Sequence, residues 1–216
     1  RLHNMRTLHF IDSQSKRQRI ALETMEIYAP LAERIGMQEM KNELEDLAFA
    51  VLNEEARDSI TARLQFLKDE GRDNVATIVE ELRSTLGSEN LRAFVTGREK
   101  TPYSIWRKTQ KKNVSFEQIA DIIAFRIIVN NKEECYRALG IIHGTYKVVP
   151  GRIKDFISTP KPNGYKALHT SIIGPDLHRI EIQIRTQEMH EIAEYGVAAH
   201  WHYKQATSIR SGREFR

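Results

Sequence analysis

Through the first ninety residues apolar side chains recur at three- and four-residue spacing, the period of an amphipathic helix. Ile20, Met25, Ile27 and Leu31 form one stripe, with Ser13 or Ser15 placed to cap its start and Gly36 to end it. A second, from about Met37, carries Met40, Leu44, Leu47 and Val51. A third carries Ile60, Leu64 and Leu67 and stops at Gly71, and a fourth runs to Gly87. The pattern predicts a packed helical unit whose acidic faces meet solvent and which holds no chemistry of its own.

At Leu91 the period changes. RAFVTGR (92–98) reads as a strand, and Pro102 suits the first turn of a helix over SIWRKTQKK (104–112). IIAFRIIV (122–129) is a continuous β-rich run, as expected of a strand covered on both faces. Residues 132–146 read as a helix, with Cys135, Leu139 and Ile142 on one stripe and Gly140 and Gly144 as packing positions. ALHTSII (167–173) and RIEIQIR (179–185) are further strands that turn at Gly174-Pro175-Asp176, and a last helix is expected from Gln187 through GVAAHWHY (196–203). The predicted fold class is α+β: a helical segment over 1–90, a mixed β-sheet domain flanked by helices over 91–204, and a polar tail over 205–216.

Composition narrows the function classes. No apolar run approaches the ~20 residues that cross a bilayer, and RLHNMRTLHF lacks a signal-peptide pattern. A single cysteine, Cys135, excludes an intrachain disulfide and fits a reducing compartment; its apolar helical setting marks it as core. A cytoplasmic protein with no membrane association is expected. Charge is uneven: residues 1–90 carry 12 Lys/Arg against 17 Asp/Glu, whereas 91–170 carry 15 against 6. A positive field confined to the middle of the chain implies a polyanionic ligand, either a small polyphosphate or RNA.

Candidate chemistry gathers there. The turn PKPNG presents Tyr165 amid Lys154, Lys161, Lys166 and His169, an aromatic ring among cations that suits a nucleotide and equally describes a surface loop with a half-buried tyrosine. RIEIQIR puts Ile180, Ile182 and Ile184 on one face and Glu181, Gln183 and Arg185 on the other, the pattern of a sheet edge with one face in water. Asp121 opens the IIAFRIIV strand, and pairing of that strand with RIEIQIR would bring Asp121 and Glu181 together for a magnesium ion. Arg98 and Lys100 share a face of an extended segment, and Ser104 and Lys108 a stripe of the following helix, a polyphosphate clamp or a solvated basic face. Arg152 and Lys154 repeat the two-residue spacing. His190, His200 and His202 lack the Cys pairs or HExxH of a zinc site, and neither a Walker loop nor GxGxxG is present.

Five segments in register, GREKTPYSIWRK (97–108), DIIAFRIIV (121–129), GRIKDFISTPKPNGYKALHT (151–170), EIQIRT (181–186) and AEYGVAAHWHYK (193–204), resemble the RelA/SpoT family of (p)ppGpp synthetases. RLHNMRTL (1–8) is similar to the last helix of the hydrolase domain that precedes the synthetase in long members, whose metal-binding elements would lie before residue 1. The resemblance implies a nucleotidyltransferase-like fold and transfer of pyrophosphate from ATP to the 3′-hydroxyl of GDP or GTP. By it Asp121 and Glu181 hold Mg²⁺, with Glu181 taking the hydroxyl proton; Arg98, Lys100, Ser104, Lys108, Arg152 and Lys154 bind ATP. Tyr165 stacks on guanine, and Lys161, Asn163, His169 and Gln183 line the guanosine substrate. Arg152-Ile153-Lys154-Asp155 matches the basic motif of bifunctional members and leans towards GDP. Thr101 stands where the family usually has histidine. Regulation by domains outside this segment is expected, and nucleic acid is not an expected partner. The alternative is a catalytically silent guanine-nucleotide sensor, which need not keep both carboxylates.

Overall fold

The computed structural model describes residues 1–69, 75–112, 123–174 and 179–196. Helices α1 (Leu2–Arg6), α2 (Gln14–Glu23), α3 (Ala29–Arg34), α4 (Gln38–Leu52), α5 (Glu54–Asp69) and α6 (Val75–Ser88) precede the first strand. Strands β1 (Phe94–Glu99), β2 (Ile123–Val129), β3 (Lys147–Val148), β4 (Lys154–Asp155), β5 (Leu168–Ile173) and β6 (Arg179–Thr186) alternate with α7 (Pro102–Lys112), α8 (Lys132–Thr145) and α9 (Gln187–Tyr195). The α+β class expected from the sequence is the one observed. Among the described residues no helix is long and apolar enough to cross a membrane.

The sheet runs β1-β2-β6-β5-β3, with β4 paired to β5; β2 and β6 are parallel and the other pairings antiparallel. β6 therefore lies in the middle and is not a sheet edge. Its clean alternation has a different cause: one face packs into the core, and the polar face is enclosed by other charged groups. The core behind the sheet joins Phe125, Ile127, Ile180, Ile182 and Ile184 to Cys135, Ala138 and Ile142 of α8 and to Leu82 and Leu86 of α6. The change of period at Leu91 thus marks where strands begin, whereas the sheet's core already includes α6. At Gly97 the absent side chain lets Val75 of α6 press onto β1.

Local signals set the helix ends. Ser13 Oγ accepts from the Lys16 N–H at the start of α2. Asn131 caps α8 by accepting from the Glu134 N–H, and Glu134 reaches back to the Asn130 N–H, a reciprocal cap. Thr186 caps α9 through the Met189 N–H.

Four expectations fail for identifiable reasons. A π-helical turn, Thr24–Tyr28, separates α2 from α3 and shifts the phase, so Ala21, Thr24, Ala29 and Ala32 are buried while Ile27 and Leu31 are exposed. Asn90, not Gly87, supplies the positive φ after α6, with the Leu91 N–H on the Leu86 carbonyl. Gly140 and Gly144 face open space. The last helix ends at Tyr195 because Gly196 takes φ 75 and ψ −166, a region open essentially to glycine; residues 197–204 and the tail lie outside the described residues.

Gly196 also closes a three-way junction. A Cβ there would stand 2.6 Å from the Ile35 carbonyl oxygen, and one at Gly36 would stand 3.2 Å from the Asn163 carbonyl oxygen. Gly196→Ala should therefore cost about 2–5 kcal/mol, from forbidden backbone plus a steric clash. Gly140→Ala, in an open helical position, should stabilise by about 0.5–1 kcal/mol. Chemical denaturation of both variants checks the opposite signs; equal effects would remove the junction's special standing.

Candidate functional site

Register across the sheet assembles one polar face. Arg98, Ala124, Glu181 and Ser171 form one row over β1, β2, β6 and β5, and Thr96, Arg126, Gln183 and His169 form the next. Lys154 of β4 extends the second row beside His169. Directly opposed residues on neighbouring strands share a face. Candidates scattered over ninety residues thus converge on a single surface.

Glu181 stands in the middle of that face. Lys100, just beyond β1, donates to its Oε2 at 2.7 Å, both side chains being largely enclosed. Asp121 lies outside the described residues; the strand it precedes, β2, runs directly beside β6. Thr101 has a clear local role: it precedes α7, accepts from the Ser104 N–H at 3.3 Å, and shares a hydroxyl hydrogen bond with Ser104 at 2.9 Å. Asp46 of α4 takes the next N–H, that of Tyr103, at 3.1 Å. Helix α7 then rests on α4 and α5 through Phe49, Tyr103 and Trp106 and through Ile60 and Ile105. Ser104 and Lys108 lie four residues apart on α7, the helix that directly follows β1 and Lys100.

Tyr165 is held at three points. Its hydroxyl shares a 2.8 Å hydrogen bond with His169 Nε2, its N–H donates to Asn163 Oδ1, and Phe156 packs edge-on at 6.0 Å. Gly164 at φ 79 completes the turn, with its N–H on the Lys161 carbonyl. Asn163 spends its other amide end on the Glu33 carbonyl at 3.1 Å, which fastens the turn to α3. Burial pushes His169 down to about 4, so it is neutral near pH 7, and raises the Tyr165 hydroxyl. Arg152 and Lys154 are exposed, and Lys154 pairs with His169, the residue that bonds the Tyr165 hydroxyl.

A cluster that the sequence reading did not foresee closes the far end. Glu194 of α9 accepts from Arg185 at 2.8 Å and from Arg126 at 3.1 Å. Arg185, only 2% exposed, also donates to His190 Nδ1 at 2.6 Å. Burial, with the two arginines adding to it, takes His190 down to about 4. Glu39 of α4 hydrogen-bonds Glu194, and that contact plus burial raises its carboxyl, against the pull of Arg98 and Arg126. The available signal was Arg126 and Arg185, each a charge inside an isoleucine-rich strand. For Glu33, Glu39 and Asp46, on faces read as solvated, there was none. Among the described residues no cluster of three His, Cys, Asp or Glu side chains is arranged to hold a metal alone.

The chain is similar to known proteins along nearly all of its length. The signature described as "Region found in RelA / SpoT proteins" matches residues 97–208, and an HD-domain signature matches residues 1–38. The GTP pyrophosphokinase rsh of Brucella melitensis is 52% identical over 98% of the chain, and the GTP pyrophosphokinase of Myxococcus xanthus is 49% identical over the same share. The chain spans 28% of the length of each of these relatives. The small alarmone synthetase 1 from Bacillus subtilis superposes with a TM-score of 0.50 at 21% identity, over 72% of this chain and 99% of that one, a likeness of fold. With more than half its length matched by that region, the chain belongs to the RelA/SpoT family.

Proposed function

We propose that this chain is a (p)ppGpp synthetase, moving pyrophosphate from ATP to the 3′-hydroxyl of GDP or GTP with release of AMP. The observation that carries the reading is the convergence on one sheet face of a central carboxylate, Glu181, cations on both sides, and a fixed aromatic platform, Tyr165. Phosphoryl transfer needs positioning and charge neutralisation more than covalent help, and a face of this kind supplies both. The high identity to proteins named GTP pyrophosphokinase supports it.

In this reading Arg98, Lys100, Ser104 and Lys108 receive ATP between β1 and α7, and Arg152 and Lys154 approach the phosphates from the opposite edge. Tyr165 stacks on guanine, with neutral His169, Gln183, Lys161 and Asn163 around the guanosine moiety. Glu181 accepts the 3′-hydroxyl proton, and Lys100, its partner at 2.7 Å, holds the carboxylate in place until substrate arrives. Mg²⁺ binds proteins through one or two carboxylates and completes its shell with phosphate oxygens and water, which fits Glu181 with Asp121 and needs no all-protein cage. When bound, the ion would neutralise polyphosphate charge and help a carboxylate, by nature a weak base, accept the hydroxyl proton. The HD-domain match supports reading residues 1–38 as the end of a hydrolase domain. The silent-sensor alternative gains no observation of its own.

The direct test mixes the chain with ATP, GDP and Mg²⁺ and looks for AMP and ppGpp. Glu181→Gln and Asp121→Asn should each lower turnover by roughly a hundredfold or more with little change in stability. Retention of more than about a tenth of the wild-type rate at saturating Mg²⁺, worth only ~1.4 kcal/mol, would remove that residue from the role given it. Tyr165→Ala should weaken GDP binding by roughly 5- to 150-fold while Tyr165→Phe binds nearly normally and ATP affinity barely moves. Calorimetric titration with each nucleotide checks this; equal losses for ATP and GDP would make Tyr165 a structural prop.

A further inference from the structure

Lys161 sits where a base would stack. Its ammonium lies 4.9 Å from the ring centroid of Tyr165 and 4.9 Å from that of Phe156. The two rings are 6.0 Å apart at 70°, so the cation fills the corner between them. A cation within about 6 Å of an aromatic face is attracted by the ring quadrupole. Lys161 as a whole residue is exposed, while its ammonium lies against the partly buried Tyr165 ring. The backbone of the lysine and the ring are both held, while the lysine side chain can swing. The Lys161 N–H donates to the Tyr165 carbonyl at 3.2 Å, which tethers the lysine across the turn from the ring it covers. The ring is pinned by His169 and Asn163 as described above.

The same ammonium is poorly settled as a cation. Burial against the rings lowers its pKa first of all, and Lys154 and Lys41 add to that lowering, while Glu33 offsets part of it. A desolvated ammonium held by ring quadrupoles, with Glu33 acting on it and two lysines opposing, gains by moving onto a phosphate, where the charges are opposite and the hydrogen bonds charge-assisted.

We infer that Lys161 is a specificity-determining residue that plugs the Tyr165 platform in the free protein, so that a guanine gains the ring only when the ligand also carries phosphate to draw the lysine away. The inference rests on Tyr165 being the guanine platform. An unphosphorylated nucleoside competes with the ammonium for the ring and offers it nothing in exchange. A nucleoside 5′-diphosphate provides both the stacking base and the new partner for the charge. The platform therefore discriminates phosphorylated from unphosphorylated guanosine at the base itself, before any phosphate-binding residue elsewhere on the face is considered.

The test is an NMR titration, which reads millimolar affinities, of guanosine and of GDP against wild type, Lys161→Ala, Lys161→Gln and Tyr165→Ala. Removing the plug should tighten guanosine binding by about 2- to 30-fold in both Lys161 variants. It should weaken GDP binding by roughly tenfold or more, because the phosphate loses its cation. Opposite signs for the two ligands are the signature, and loss of fold cannot produce them, since it weakens both. Guanosine binding that is unchanged or weaker in both Lys161 variants overturns the plug. If Tyr165→Ala leaves guanosine and GDP binding as in wild type, the platform reading itself has failed, and the plug falls with it.

Discussion

A guanidinium enclosed in the middle of a sheet has to be paired, because leaving such a charge without a partner costs several kcal/mol. Arg185 is in that position, nearly fully buried on the central strand β6. Glu194 meets it, and Glu194 is available only because Thr186 starts α9 directly after β6 and folds it back over the sheet. The same carboxylate gathers Arg126 from β2, so one acid ties together the two strands whose parallel register aligns the polar face. The Nε atoms of Arg126 and Arg185 are buried without a hydrogen-bond partner among the described residues, so the cluster is only partly satisfied. A network of this kind is strained by any change in its neighbours.

The helical unit is tied to the sheet at each side of the candidate site. Asp46 caps α7, the helix that carries Ser104 and Lys108. The Glu33 carbonyl holds the turn that carries Tyr165. Glu39 completes the cluster around Glu194. Lys41, buried between Glu33 and Glu45, keeps the two helices that carry these groups in one arrangement. The acidic excess of the first ninety residues is therefore spent in part on positioning a basic face.

Much of this was legible in the sequence, for reasons that can be named. Strands β1, β2, β5 and β6 follow from β-branched runs, α7 begins where Pro102 predicts a start, and α8 and α9 begin where the helical period does. The cations around Tyr165, Arg98 and Lys100 stand out because a turn or a two-residue spacing isolates them. The central place of β6 was hidden, because alternation records that one face is apolar and says nothing of what covers the other. The burial of Ala21, Ala29 and Ala32 was hidden because small residues carry little periodic signal and a π-helical turn breaks the phase. The roles of Glu33, Glu39 and Asp46 depend on contacts between segments far apart in sequence, which no local pattern encodes.

Gly36, Asn163 and Gly196 come from three segments that share no local sequence, yet the Asn163 carbonyl stands where a side chain on Gly36 would go, and Ile35 and Met37, on either side of Gly36, stand where one on Gly196 would go. Positions in such contact do not contribute independently to stability. Once one of them has forced the segments apart, the amide of Asn163 has already lost its hold on Glu33, and further damage at the remaining two adds little. The junction therefore answers to substitution as a single unit: the cost of a change at one of the three positions is defined only when the state of the other two is known.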